Sequence, residues 1–194
     1  MKLNLSSEYW NQRYQKTETG WDVGDITTPI KEYIDQLKDK NIRVLLPGAG
    51  NAHEAEYLCK NGFDDVVVVD FASIALDNLN ERVPDFPLEN LIQSNFFHHH
   101  GQYDLVIEQT FFCALNPQLR AEYAKHMHTL LKPEGKLVGL MFEAPLNTDH
   151  PPFGGDRQEY ETYFNPFFKG TMKPCYNSIE PRAGKEIWIN LKKK

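Results

Sequence analysis

Short aliphatic runs alternate along the chain with stretches whose apolar residues recur every three or four positions. That alternation is the pattern of repeated β-α units. Ile42–Leu46 reads as a first strand, and Ala52–Lys60 as a helix closed by Asn61-Gly62, a favourable left-handed cap. Val66–Val69 is too uniformly apolar for a surface strand and is expected at the centre of a sheet, covered on both faces. Ser73 is placed to cap a helix carrying Ile74, Leu76, Leu79 and Val83, before Pro84 and Pro87 break the chain. Leu91–Gln93 and Tyr103–Glu108 are the third and fourth strands. Asn116-Pro117 starts a helix with Leu119, Tyr123, Met127, Leu130 and Leu131 at helical spacing. Pro133-Glu-Gly135 ends that helix, and Lys136–Phe142 supplies a fifth strand. Residues 171–178 and 185–191 flank Pro181–Gly184 and read as a terminal antiparallel hairpin at the sheet edge. Between them and the fifth strand, Ala144–Gly155 lapses into Pro, Gly, Asn and Asp, which suits a functional lid better than a plain connection. The expected architecture is α/β: a mostly parallel sheet with helices on both faces.

The length of 194 residues, with 41% hydrophobic content, fits one domain spanning 1–194 with a substantial core. The formal charge of −6 argues against a nucleic-acid partner, and Lys192–Lys194 reads as a solvated tail. The N-terminal residues lack an apolar signal core, and the aliphatic runs are far shorter than the ~20 residues of a membrane span, so a cytoplasmic protein is expected. The odd, dispersed cysteines Cys59, Cys113 and Cys175 suggest free thiols, neither a disulfide framework nor a zinc site. Three adjacent imidazoles at His98–His100 cannot all face one ion and read as an exposed loop. His126 and His128 point to different helix faces, so no metal is expected.

The chemistry is concentrated where the first strand runs into Pro47-Gly48-Ala49-Gly50 and the second ends on Asp70. A glycine turn lets backbone approach a ligand, and a carboxylate at the next strand tip is placed for a ribose. The third glycine of the dinucleotide pattern is absent, which disfavours NAD, and neither Lys nor Ser/Thr follows as in a phosphate loop. A ligand with one nucleoside and no phosphates needs only the turn, the acidic strand end and flanking pockets. S-adenosylmethionine fits that description; an NAD-linked oxidoreductase, or a binding module without catalysis, is the alternative.

Five segments in order, Tyr9–Tyr14, Thr19–Gly24, Leu46–Gly50, Thr110–Leu115 and Leu130–Gly135, resemble the thiopurine S-methyltransferase family, and within it most closely the halide and thiol methyltransferase branch. The resemblance implies a class I S-adenosylmethionine-dependent methyltransferase: a Rossmann-like three-layer sandwich on a seven-stranded sheet whose last strand is antiparallel. It implies that Gly48 and Gly50 line the methionine part of the cofactor and that Asp70 accepts hydrogen bonds from both ribose hydroxyls. Phe71, Asn95 and Phe96 would contact the adenine, and Glu108 and Gln109 would meet the cofactor's amino-acid end, a carboxylate there holding its ammonium. Residues 1–30 would form an arm over the cofactor, with Trp10, Tyr14 and Trp21 facing the sulfonium by cation-π attraction. The acceptor side would comprise Phe111, Phe112 and a lid over 144–158, with Phe153 and Arg157; Arg182 is a further candidate for orienting an acidic acceptor.

The resemblance further implies direct in-line transfer to a small-molecule acceptor, leaving S-adenosylhomocysteine, with no covalent intermediate and no residue assigned as catalytic. Asn95 replaces an acidic residue, Gln109 a tyrosine of the halide branch, and Phe153 the tyrosine of a Pro-Pro-Tyr lid motif. These departures argue against strict halide specificity and leave thiols, thiopurine-like heterocycles and other soft nucleophiles as acceptors. A monomer or weak homo-oligomer is expected.

Overall fold

The computed structural model describes residues 4–194, so the first three residues of the N-terminal arm lie outside the description. Thirteen elements follow one another among the described residues: α1 (Ser7–Gln15), α2 (Thr28–Asp35), β1 (Val44–Pro47), α3 (His53–Lys60), β2 (Val66–Asp70), α4 (Ser73–Arg82), β3 (Leu91–Gln93), β4 (Tyr103–Gln109), α5 (Arg120–Leu130), β5 (Leu131–Phe142), α6 (Arg157–Phe164), β6 (Phe168–Pro174) and β7 (Glu186–Lys193). The strands form one sheet in the order β3-β2-β1-β4-β5-β7-β6, with β7 antiparallel to both its neighbours and the other six parallel. Every residue of β1 and β2 is buried, as their unbroken aliphatic character requires for central strands.

Alternation along the strands sends side chains into two cores. Leu45, Val67, Val69 and Val106 face the layer of α5 and α6, with Tyr123, Tyr160 and Phe164. Val44, Leu46, Val68, Leu105 and Ile107 face α2, α3 and α4, with Ile30, Ile34, Leu58 and Leu79. Each such side chain contributes on the order of 1.5–3 kcal/mol relative to exposure. In-register pairing of Pro47 with Val69 and of Asp70 with Gln93 brings the carboxyl ends of the strands to one edge.

Several local expectations change in the folded chain. Strand β1 begins at Val44 because the Arg43 N–H is taken by the Asp104 side chain at 2.8 Å. Ala52 is left-handed (φ +51°) and caps α3 from outside. Ser73 lies inside α4 and makes no cap; the Asn11 side chain of the arm accepts from the Ile74 N–H instead, at 3.2 Å. Asn116 caps a short 3-10 turn ahead of α5, accepting from the Gln118 N–H at 3.0 Å. Pro133–Gly135 does not end α5, which stops at Leu130; it is an irregularity within β5, where the register steps from Tyr103↔Leu131 to Leu105↔Lys136. The terminal hairpin pairs 168–174 with 186–193, and its second strand lies inside the sheet between β5 and β6. Because β6 runs parallel to β5, the connection from Cys175 to Lys185 reaches the same edge as Asp70.

The lysine tail is tied down: Lys192 pairs with Glu134, Lys193 donates to the Leu131 carbonyl at 2.6 Å and Lys194 to that of Asn165 at 2.5 Å. His99 is buried against the Tyr103 hydroxyl at 2.7 Å, and that burial pushes its pKa down to about 4, so the histidine run is not wholly exposed. The three cysteines are free thiols. Among the described residues no helix is long and apolar enough to cross a membrane, and no group of side chains has the makings of a metal site.

Candidate active site

A cavity of about 420 Å³ opens at the carboxyl edge of the sheet, between the ends of β1, β2 and β4 and the N-terminal arm. Its floor is the glycine turn. Gly48 and Gly50 adopt φ of +54° and +56°; a side chain at 48 would meet the Phe111 ring at 2.1 Å, and one at 50 the Tyr14 hydroxyl at 2.9 Å. Beside the turn, Asp70 accepts from the Gly50 N–H at 3.0 Å through one oxygen and from the Ala72 N–H at 2.9 Å through the other. Each oxygen keeps acceptor capacity, and the carboxylate lines the cavity. Burial pushes the pKa of Asp70 up, a cost that two hydroxyl donors would relieve. A vicinal diol fits this acceptor pair.

The arm roofs the cavity with aromatic rings. Trp21 stands edge-on to Trp10 at 5.4 Å and to Tyr14 at 5.7 Å, and all three line the space. Burial, with Asp70 nearby, raises the pKa of the Tyr14 phenol and keeps it neutral. Three ties hold the roof down. Arg182 donates to the Trp21 carbonyl at 2.6 Å, Asn11 caps α4, and Asp22 accepts from Asn51, from His53 at 2.8 Å and from the Gly24 N–H at 2.8 Å. The hydrogen bond from His53 holds Asp22 well below the usual carboxylate range and raises His53 in return. Apart from the local turn at Asp22–Gly24, the partners in these ties are far apart in sequence and carry no local pattern.

Phe71, Asn95, Phe96, Gln109 and Phe111 also line the cavity. The Asn95 side-chain oxygen accepts from the Phe97 N–H at 3.0 Å, and Phe96 stacks edge-on against Phe111 at 5.3 Å. Gln109 accepts from the Thr27 hydroxyl at 3.3 Å.

Four expected positions lie elsewhere. Glu108 is fully buried on the α5 side, accepting from the N–H groups of Phe111 and Phe112, each at 2.8 Å, and from the Tyr123 hydroxyl. Burial pushes its pKa up to about 7, and no part of it reaches the cavity. Phe112 is core, packed on Tyr123 at 5.1 Å and Tyr160 at 5.2 Å. Phe153 turns inward and is 6% exposed, its N–H held by the Cys113 carbonyl at 2.7 Å; Pro151 and Pro152 present the lid's surface to the cavity instead. Arg157 begins α6 in solvent, 3.9 Å from Glu161. In its place Arg182, only 7% exposed, lines the cavity against Phe142. Glu54, unremarked in the sequence, lines it too.

The site holds no nucleophile paired with a base. Cys113 lines it, but burial pushes the thiol pKa up to about 12, so it stays protonated. What the residues present is a carboxylate with spare acceptor capacity and a set of aromatic faces.

The sequence model of the family described as thiopurine S-methyltransferase matches residues 5–189. A protein of Arabidopsis thaliana named thiocyanate methyltransferase 1 is 30% identical over 185 residues, covering 91% of this chain and 81% of the relative. A second from the same plant, named probable thiol methyltransferase 2, is 28% identical over 188 residues, covering 93% and 83%. Among solved structures, the Burkholderia thailandensis 1,6-didemethyltoxoflavin-N1-methyltransferase, bound to its substrate and S-adenosylhomocysteine, superposes with a TM-score of 0.76 over 97% of this chain and 87% of its own, at 16% identity. That last likeness concerns the fold.

Proposed function

The chain belongs to the thiopurine S-methyltransferase family and is an S-adenosylmethionine-dependent methyltransferase, and from that premise we propose that it methylates a small soft nucleophile, with a thiol as the leading acceptor class, by direct in-line displacement. The observation that carries the cofactor's position is the Asp70 carboxylate, half satisfied by backbone and facing the cavity beside the glycine turn. Bound S-adenosylmethionine supplies an electrophilic methyl carbon on a sulfonium.

In this reading Asp70 holds the ribose, Phe71 and the Asn95-Phe96 turn flank the adenine, and Trp10, Tyr14 and Trp21 face the sulfonium. Desolvated aromatic faces favour such a cation by on the order of 1–2 kcal/mol. Pro151, Pro152 and Phe142 wall the acceptor side together with Arg182, whose charge is shared with the buried Glu186 at 3.7 Å. Residues 144–158 serve there as a cover strapped in place, since Arg120 donates to the Gly154 carbonyl at 2.8 Å. The acceptor's electron pair attacks opposite the departing sulfur, which keeps the pair of the broken C–S bond, and a thiol's proton goes to solvent. Because the charges of thiolate and sulfonium diminish together, a dry apolar pocket favours the step, and positioning supplies most of the rate.

Calorimetric titration with S-adenosylhomocysteine and, in parallel, NAD tests the pocket: one-to-one binding of the first alone is expected. A methylation screen over iodide, bisulfide, small thiols and thiopurines then tests the acceptor. Background activity on all of them would sink the soft-nucleophile reading.

A further inference from the structure

Four carboxylates line the cavity: Asp22, Asp25, Glu54 and Asp70. Three have their partners. Asp70 holds the glycine turn and the Ala72 N–H, Asp22 has three donors, and the exposed Asp25 accepts from the Ile26 N–H at 2.7 Å. Glu54 is different. It sits in the first turn of α3, is 8% exposed, and receives no hydrogen bond or ion pair from any other described side chain. Burial pushes its pKa up, and the charged groups that act on it are His53 on its own helix, Asp22 of the arm and Arg182 ahead of β7. Beyond its own backbone N–H, no donor among the described residues offsets that burial, and a carboxylate so placed is a standing cost unless a cation arrives.

The sheet order says which cation. If the ribose lies at Asp70 on β2, with the adenine toward Asn95 beyond β3, the rest of the ligand extends the other way, across β1 toward β4. On that side Gly48 follows β1 and Gln109, bonded to Thr27, ends β4, and Glu54 from the helix after the glycine turn lines the same cavity. An S-adenosyl amino acid laid in this direction brings its α-ammonium there. Glu108, the strand-end carboxylate one would choose from position, is committed to Tyr123 and two backbone N–H groups on the other face of the sheet.

We propose that Glu54 is the anionic partner of the cofactor's α-ammonium group, so that the carboxylate recognising the amino-acid end comes from the helix after the glycine turn and not from β4. The assignment rests on the cofactor position proposed above. It makes the ligand's zwitterionic end, and not only its nucleoside, a determinant of affinity.

The test pairs one variant with one ligand change. Wild type and Glu54→Gln are titrated calorimetrically with S-adenosylhomocysteine and with its deamino analogue, in which hydrogen replaces the ammonium and the carboxylate is kept. Wild type should prefer S-adenosylhomocysteine by about 10- to 100-fold, the scale of a buried charge-assisted hydrogen bond. Glu54→Gln should lose that preference while binding the deamino analogue as wild type does, which also reports that the variant is folded. Equal loss for both ligands, or no loss for either, would overturn the assignment of Glu54 while leaving the cofactor reading intact. Wild type binding neither ligand would overturn both.

Discussion

The ends of β2 and β4 each carry a buried carboxylate at the same edge of the sheet, yet they do opposite jobs. Asp70 follows Val66 and Val68 in the alternation, toward α3 and α4, where the glycine turn leaves room and both oxygens keep acceptor capacity on the cavity. Glu108 follows Val106 toward α5, where Tyr123 and the turn at Phe111-Phe112 use its oxygens and seal it from the cavity. Position at a strand tip therefore does not identify a ligand-binding carboxylate; the face it alternates onto, and the donors waiting there, do.

The largest effect should come from Glu108→Ala, which strands two N–H donors and a buried phenol: unfolding in urea should show a loss of about 3–5 kcal/mol. A loss below ~1 kcal/mol would mean that Glu108 does not organise the turn. Asp70→Ala should act chiefly on the ligand, weakening S-adenosylhomocysteine binding by about 3 kcal/mol as two charge-assisted bonds disappear. If instead Asp70→Ala spares affinity in a folded protein, the contrast between the two strand ends collapses. Trp21→Ala sharpens the picture of the roof. Affinity for cationic S-adenosylmethionine should drop about tenfold and that for the neutral thioether product much less; equal losses would assign Trp21 to packing alone.

The smallest effect belongs to the Asp22–His53 tie. His53 is raised by its bond to Asp22, so the stabilisation it lends is complete below its ordinary pKa and fades as the pH rises through the raised one. Asp22→Asn should therefore flatten the loss of stability between mildly acidic and mildly alkaline pH, by no more than about 1 kcal/mol for a half-buried pair that solvent still screens. An unchanged slope would show that another group controls the arm.

The strands were readable wherever a run was apolar throughout, as in Val66–Val69, and so was the antiparallel end of the sheet. Local signals misled where a distant residue took over: Ser73 lost its capping role to Asn11, and Pro133–Gly135 was absorbed into β5 by pairing with β4. At the site, the glycine turn, Asp70 and the arm's aromatics stand out as residue types in a suggestive order. Phe112 and Phe153 do not reveal which way they turn, because an aromatic ring suits a core and a cavity wall equally well.

What the sequence by itself determined is what depends on neighbours along the chain: the alternation of strands and helices, the φ > 0 turn that Gly48 and Gly50 permit, and the order of motifs that marks the family. Only the tertiary structure decided which charges face the cavity. Glu54 and Arg182 both line it from distant parts of the chain, while Glu108 and Arg157 are drawn to other partners, because a side chain's surroundings are set by the faces that pack against it and no local pattern encodes them.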